Sequence, residues 1–307
     1  MGLSMASGKL SNGLQLKGQI WHMCFKPKGL PVTESTHTGN KATLNSYVQP
    51  PRSLHWTLMD AAQTIREAVS RVEKLRVDAS SNLALQAATV AVKSLQARRF
   101  AGTYADLLST NEYGKATRFF LDDLYSDKDY SLRDAQFAKI AGGLQRLFPQ
   151  QVIATAVSLA KLHILTEELD RQMAEAWMTV GTIDAGADDA ARYVACWTAV
   201  NRESDRNLQL EMVLEIGDEL DRLTRIAGLR LLLRMMRGPA MAARIGSLQA
   251  FLESGFDIFA HMSGKGSGAQ AFLSTIRERE SSWIKRLSST NRSEAAVALG
   301  ACLENAR

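Results

Sequence analysis

Residues 149–178 read PQQVIATAVSLAKLHILTEELDRQMAEAWM, and the spacing within them decides the fold. Val152, Ala156, Leu159, Leu162, Leu165 and Leu169 recur every three or four positions, which is the period of one helix face. Pro149 suits the first helical position, because the N–H it lacks would have no partner there. The spacing predicts one long helix running to about Met178.

The same period extends in both directions. Toward the N-terminus, Ser131 with Asp134 three residues on reads as a capping box. The helix it opens carries Phe137, Ile140, Leu144 and Leu147. A helix over about Tyr113–Tyr125 precedes it, and another over about Asn82–Phe100 turns Leu85, Ala88, Val92 and Leu95 inward. Ala62, Ile65, Val69, Val72 and Leu75 mark a first helix. Toward the C-terminus, Gly181–Gly186 is expected as a loop. Asp188 and Asp189 then open a helix through Tyr193, Val194 and Trp197, since acids favour helix N-termini. A long helix is predicted over about Asn207–Arg237, with Leu208, Met212, Leu220, Leu223, Ile226, Leu231 and Met235 near one face and its mixed charges in solvent. Gly238-Pro239 reads as a stop and a new start. Gly264–Gly268 breaks the chain again before the helix of Phe272, Ile276, Trp283 and Leu287 and a short last one near Leu303. No period-two alternation and no fixed repeat occurs. The expectation is all-α: nine to ten helices in a single compact domain over residues 59–307.

Residues 1–58 differ. Four of the six prolines (Pro27, Pro31, Pro50, Pro51) lie there, among Gly, Ser, Thr, Asn and Lys, with no sustained period. Such a composition predicts a disordered basic arm; the favoured expectation is that it is translated upstream sequence and that the protein starts at Met59. The arm also holds the charge. The chain has 37 Lys+Arg against 32 Asp+Glu, and residues 1–52 contain six of the basic residues and one acid. The remainder carries 31 of each sign, so its balance gives no nucleic-acid footprint. No apolar run is long enough to span a membrane. Three widely spaced cysteines, Cys24, Cys196 and Cys302, with no CxxC, argue against a disulfide framework or structural zinc and for a reducing, cytoplasmic setting.

Residues 119–125 read FFLDDLY. Here the chain resembles the bacterial "FFLEELY motif" proteins, a family of unknown function. Flanking stretches carry the resemblance further: Lys93-Ser-Leu-Gln96-Ala-Arg98-Arg99-Phe100, Tyr104-Ala-Asp106-Leu-Leu, Asp134-Ala-Gln136-Phe137 and Arg146-Leu-Phe148-Pro149. Asp122 and Asp123 depart from it, standing where the family name has two glutamates. The resemblance implies a cytosolic helical domain without an assigned activity. Read physically, Phe119, Phe120 and Leu124 form the buried face of a central helix. Nine of the 21 aromatic residues lie between Phe100 and Phe148, which makes this segment the expected main core. The sharper alternative is an apolar ligand pocket using Tyr104, Phe119, Phe120 and Tyr125.

Chemistry-bearing patterns are sparse. Asp122, Asp123 and Asp127 read DDxxxD, the spacing of the Mg²⁺-binding aspartates of isoprenoid synthases, but no second motif accompanies them. A calcium loop from Asp127 fails at Leu132 and Ala138. His163 and Glu167 share a helix face, yet the Glu-x-x-His of di-iron bundles is absent, so His163 reads as a hydrogen-bonded helix histidine. Gly264-Lys-Gly266-Ser-Gly268 follows a helix and does not match a phosphate loop. Cys196 has no activating neighbour. The expectation is a non-enzymatic protein acting through a protein partner or its own copies, with no cofactor; the alternatives are a small apolar-ligand-binding protein using segment 100–148, and a Mg²⁺-dependent enzyme on Asp122, Asp123 and Asp127.

Overall fold

The computed structural model describes residues 58–124, 131–180, 188–264 and 268–306. The disordered arm expected over residues 1–58 lies outside them except for Leu58. All the described elements are helical, with no strand among them. Nine helices have twelve or more residues: α1 (Leu58–Ser80), α2 (Leu83–Thr103), α5 (Ser131–Leu147), α6 (Gln150–Val180), α7 (Asp189–Val200), α8 (Glu203–Thr224), α11 (Gly246–Ser263), α12 (Gly268–Leu287) and α13 (Arg292–Glu304). Short helices fill the connections: α3 (Ala105–Leu108), α4 (Gly114–Phe119), α9 (Leu229–Met235) and α10 (Arg237–Ala242), with a π-helical turn over Phe120–Leu124.

Local chemistry sets the helix ends. The Asn82 side chain accepts from the Ala84 and Leu85 amides and starts α2. Asp188 does the same for the Ala191 amide and starts α7. The Pro149 carbonyl receives the Val152 and Ile153 amides, so α6 begins at the next residue.

The stop and new start expected at Gly238-Pro239 are present: α9 ends at Met235 and α10 opens at Arg237, with the proline in its first turn, where it costs no hydrogen bond. Two expectations about the long helix need correction. The long helix ends at Thr224 with Arg225 as its C-cap, and Gly228, at a φ of +82° that a residue with a Cβ adopts only under strain, precedes the separate helix α9. The inward face of α8 is also not the expected one. Arg206, Leu210, Leu214, Gly217 and Asp221 are buried at helical spacing, whereas Leu208 lies 51% exposed. Two of the charges expected in solvent therefore point into the protein.

Helix α6 is central. It packs against α1 and α2 on one side and α7 and α8 on the other, while α12 and α11 cover α8 and α13 covers α2 and α7. The main core joins Phe100, Tyr104, Phe119, Phe120, Met173, Trp177, Tyr193, Phe259 and Phe272. A smaller core of Ala62, Ile65, Ala68, Ala141 and Ala160 seats α1 on α5 and α6. Close approach is needed at Gly102, where a Cβ would stand 2.0 Å from the Cys302 carbonyl oxygen of α13.

Candidate functional site: a charged cavity inside the bundle

The long helices do not close completely on one another. A cavity of about 190 Å³ remains between α1, α2, α5, α6, α7, α8, α11 and α12. Polar stripes line it. On α2 they are Lys93, Gln96 and Arg99; on α6, His163, Thr166, Glu167 and Asp170; on α8, Arg206 and Gln209. Each set repeats at three or four residues, so each projects from one helix face. Apolar walls come from Trp197, Phe251, Trp283, Val213 and Leu252.

Most of the charges are paired. Arg99 makes a two-pronged bond to Glu280, with Nη1 to Oε1 and Nη2 to Oε2 both at 2.9 Å, and the Tyr104 hydroxyl donates to the same Oε1 at 3.0 Å. Lys93 Nζ lies 3.0 Å from both Glu167 oxygens and 3.9 Å from Asp170 Oδ2. Arg76, behind the wall, joins Asp134 at 2.8 Å to Glu167 at 3.2 Å. His163 Nε2 is 3.0 Å from Asp134 Oδ2. Gln96 Nε2 donates to Asp170 at 3.1 Å and to the Tyr193 oxygen at 3.4 Å. Asp134, expected as a helix-capping acid, thus turns its carboxylate inward to Arg76 and His163.

Burial raises the pKa of Asp134, Glu167 and Asp170, and their neighbours decide the outcome. At Asp134 the His163 hydrogen bond and Arg76 outweigh burial and hold the group below its ordinary value. At Glu167, Lys93 and Arg76 do the same. At Asp170 burial wins over Lys93 and Arg206 and raises the group above its ordinary value. Burial likewise keeps the proton on Tyr193. The charged residues that line the cavity balance, with four cations (Lys93, Arg99, Arg133, Arg206) and four acidic side chains (Asp134, Glu167, Asp170, Glu280).

The residues singled out from sequence sit elsewhere. Tyr104, Phe119 and Phe120 are buried and none lines the cavity. Tyr104 holds the cavity residue Glu280, and Phe119 stacks on the cavity residue Phe251 with ring centroids 5.5 Å apart. They form the layer behind the wall. Phe120 packs edge-on against Phe272 at 5.6 Å. Tyr125 and Asp127 lie outside the described residues; Asp122 is exposed on the π-helical turn. Among the described residues no group of three or more His, Cys, Asp or Glu side chains could hold a metal ion. None of the described helices is long and apolar enough to cross a membrane.

A bundle whose interior charges surround a cavity defines a class by architecture alone. The chain belongs to the family described as Domain of unknown function (DUF8198), which it matches over residues 75–294. That span contains the lining residues of α2, α5, α6, α7, α8, α11 and α12. No curated protein and no solved structure matches the chain.

Proposed function

We propose that this chain is a small-ligand-binding protein whose ligand occupies the cavity between the long helices. The observation that carries the reading is a ring of buried ionised side chains around unfilled space. Burying charge costs several kcal/mol per ion, and well-packed apolar residues would stabilise the bundle at least as well. Charges kept at such a cost around a cavity are the arrangement expected of a binding site. The walls are preformed, since α6 holds one side and the Arg99–Glu280 pair ties α2 to α12. The apolar-ligand reading of segment 100–148 is thereby shifted: Tyr104 and Phe119 support the wall, and Arg133, Asp134 and Phe137 of the same segment line it. In the same reading the chain is a bacterial, cytoplasmic relative of the FFLEELY-motif proteins, and the stretch from Lys93 to Phe100 supplies Lys93, Gln96 and Arg99 to the lining. No catalytic step is assigned.

A thermal-shift screen of small polar metabolites tests the reading. A ligand at a hundred-fold excess over its Kd stabilises by about 2.7 kcal/mol, and Val213→Phe, which fills the cavity from α8, should abolish that gain. A library that leaves the melting temperature unmoved contradicts the reading.

A second reading, action through a protein partner or a second copy, has one observation in its favour. Leu231, Met235 and Met241 lie 61%, 55% and 69% exposed on the consecutive short helices α9 and α10. Light scattering checks it: a defined dimer converted to monomer by Leu231→Glu supports it, and a monomer at all concentrations removes self-association.

A further inference from the structure

Of the groups around the cavity, Arg206 is the one the fold leaves incomplete. Its side chain is nine-tenths buried, with the guanidinium carbon 5.0 Å from the Trp197 ring centroid. Nη1 donates to Gln209 Oε1 at 3.2 Å, and Gln209 is itself held by Thr166 at 2.8 Å. Nη2 is buried and has no acceptor. Lys93 and Arg99 each have a carboxylate within 3.0 Å, whereas among the described residues none lies within ion-pair distance of Arg206. A buried donor without an acceptor loses its water without replacement.

Lys93 and Arg99 are matched by Glu167 and Glu280, so what the cavity leaves to a ligand is one guanidinium, which a single anionic group suits. A carboxylate also matches the planar fork of a guanidinium. The remaining walls are apolar and aromatic, and a cavity of about 190 Å³ suits a body near the size of a substituted benzene ring.

We propose that the cavity takes a small organic monocarboxylic acid, whose carboxylate pairs with the Arg206 guanidinium and whose apolar or aromatic body lies against Trp197, Trp283 and Phe251. This rests on the ligand-binding reading above and adds the chemistry of the ligand. The side chains divide the work: Arg206 supplies the charge, Gln209 and the Trp197 face fix the guanidinium plane, and Trp283 and Phe251 select for a non-polar body.

The test uses the full chain and calorimetry with benzoate, phenylacetate and hexanoate, each paired with its own neutral amide. Hydrogen bonds to a charged group predict that at least one acid binds about ten-fold or more tightly than its amide. That preference should fall to about one in Arg206→Met and recover in part in Arg206→Lys, with helical circular dichroism unchanged. Equal binding of acid and amide by the native chain overturns the acid assignment and leaves the cavity reading standing. Binding of neither acids nor amides overturns the acid assignment, and the metabolite screen above decides the cavity reading separately. An acid preference that survives in folded Arg206→Met also overturns the assignment, since the anion would then sit elsewhere.

Discussion

Replacing Glu280 by Gln tests how the cavity wall is held. Glu280 is buried and receives three donors: both outer nitrogens of Arg99 and the Tyr104 hydroxyl. The substitution keeps the shape of the side chain and removes its charge. Arg99, itself 8% exposed, is then left as a buried cation whose partner has become a neutral amide. Removing one member of such a pair costs about 3–5 kcal/mol, because the charge that stays behind is no longer compensated. For a domain of this size each kcal/mol moves the melting temperature by about 2–4 °C, so the expected fall is about 6–20 °C. Urea titration at pH 7, followed by circular dichroism at 222 nm, should give the same energy from the shift in midpoint at constant slope. The double replacement Arg99→Met/Glu280→Leu removes both charges and should recover most of the loss. A loss below about 1 kcal/mol in Glu280→Gln, or a double variant worse than the single one, would refute the reasoning.

Three other outcomes follow from the same geometry. Phe120→Ala should cost about 3–5 kcal/mol, because the ring is 4% exposed against Phe272; an unchanged melting temperature would show that it is not core. Asp134 and Glu167 titrate below their ordinary values, so their stabilisation is fully present above the ordinary carboxylate range and lost as pH falls through the lower folded-state values. Stability should decline between about pH 5 and pH 2, and less steeply in Glu167→Gln; a variant with the native acid limb contradicts the assignment. Asp170 has the opposite sign: its contribution is present at low pH and lost as pH rises through its raised value, so Asp170→Asn should be milder at pH 7 than Glu167→Gln in the same melts. Burial pushes the Cys196 thiol up to about 11. Peptide mapping after iodoacetamide treatment at pH 8 should therefore find it unlabelled in the native chain and labelled after unfolding.

Helix period made most of the fold legible. Val92 and Leu95 on α2, and Ile65 and Val72 on α1, are buried as their spacing required. The misplaced elements have physical reasons. A left-handed Gly228 starts a separate helix where the apolar letters continue, and the inward stripe of α8 carries Arg206 and Asp221, which hydrophobicity alone assigns to solvent. The same bias hid the cavity. Lys93, Gln96 and Arg99, and His163, Thr166, Glu167 and Asp170, each follow a helical period that runs beside buried apolar residues of the same helix. That coincidence of a polar stripe with a core-facing helix was the signal available. The sequence alone could not indicate which of these charges find partners across the bundle; Arg206 does not, and it lies 36 positions from Asp170 in the chain.

Native mass spectrometry of the full chain, purified without denaturation, tests the central claim most directly. The account predicts a population heavier than the bare chain by one small molecule, of roughly 100–250 Da for a cavity of this volume, and the loss of that increment in Val213→Phe. Only the bare mass in the native chain, or an increment that persists unchanged in Val213→Phe, would contradict it.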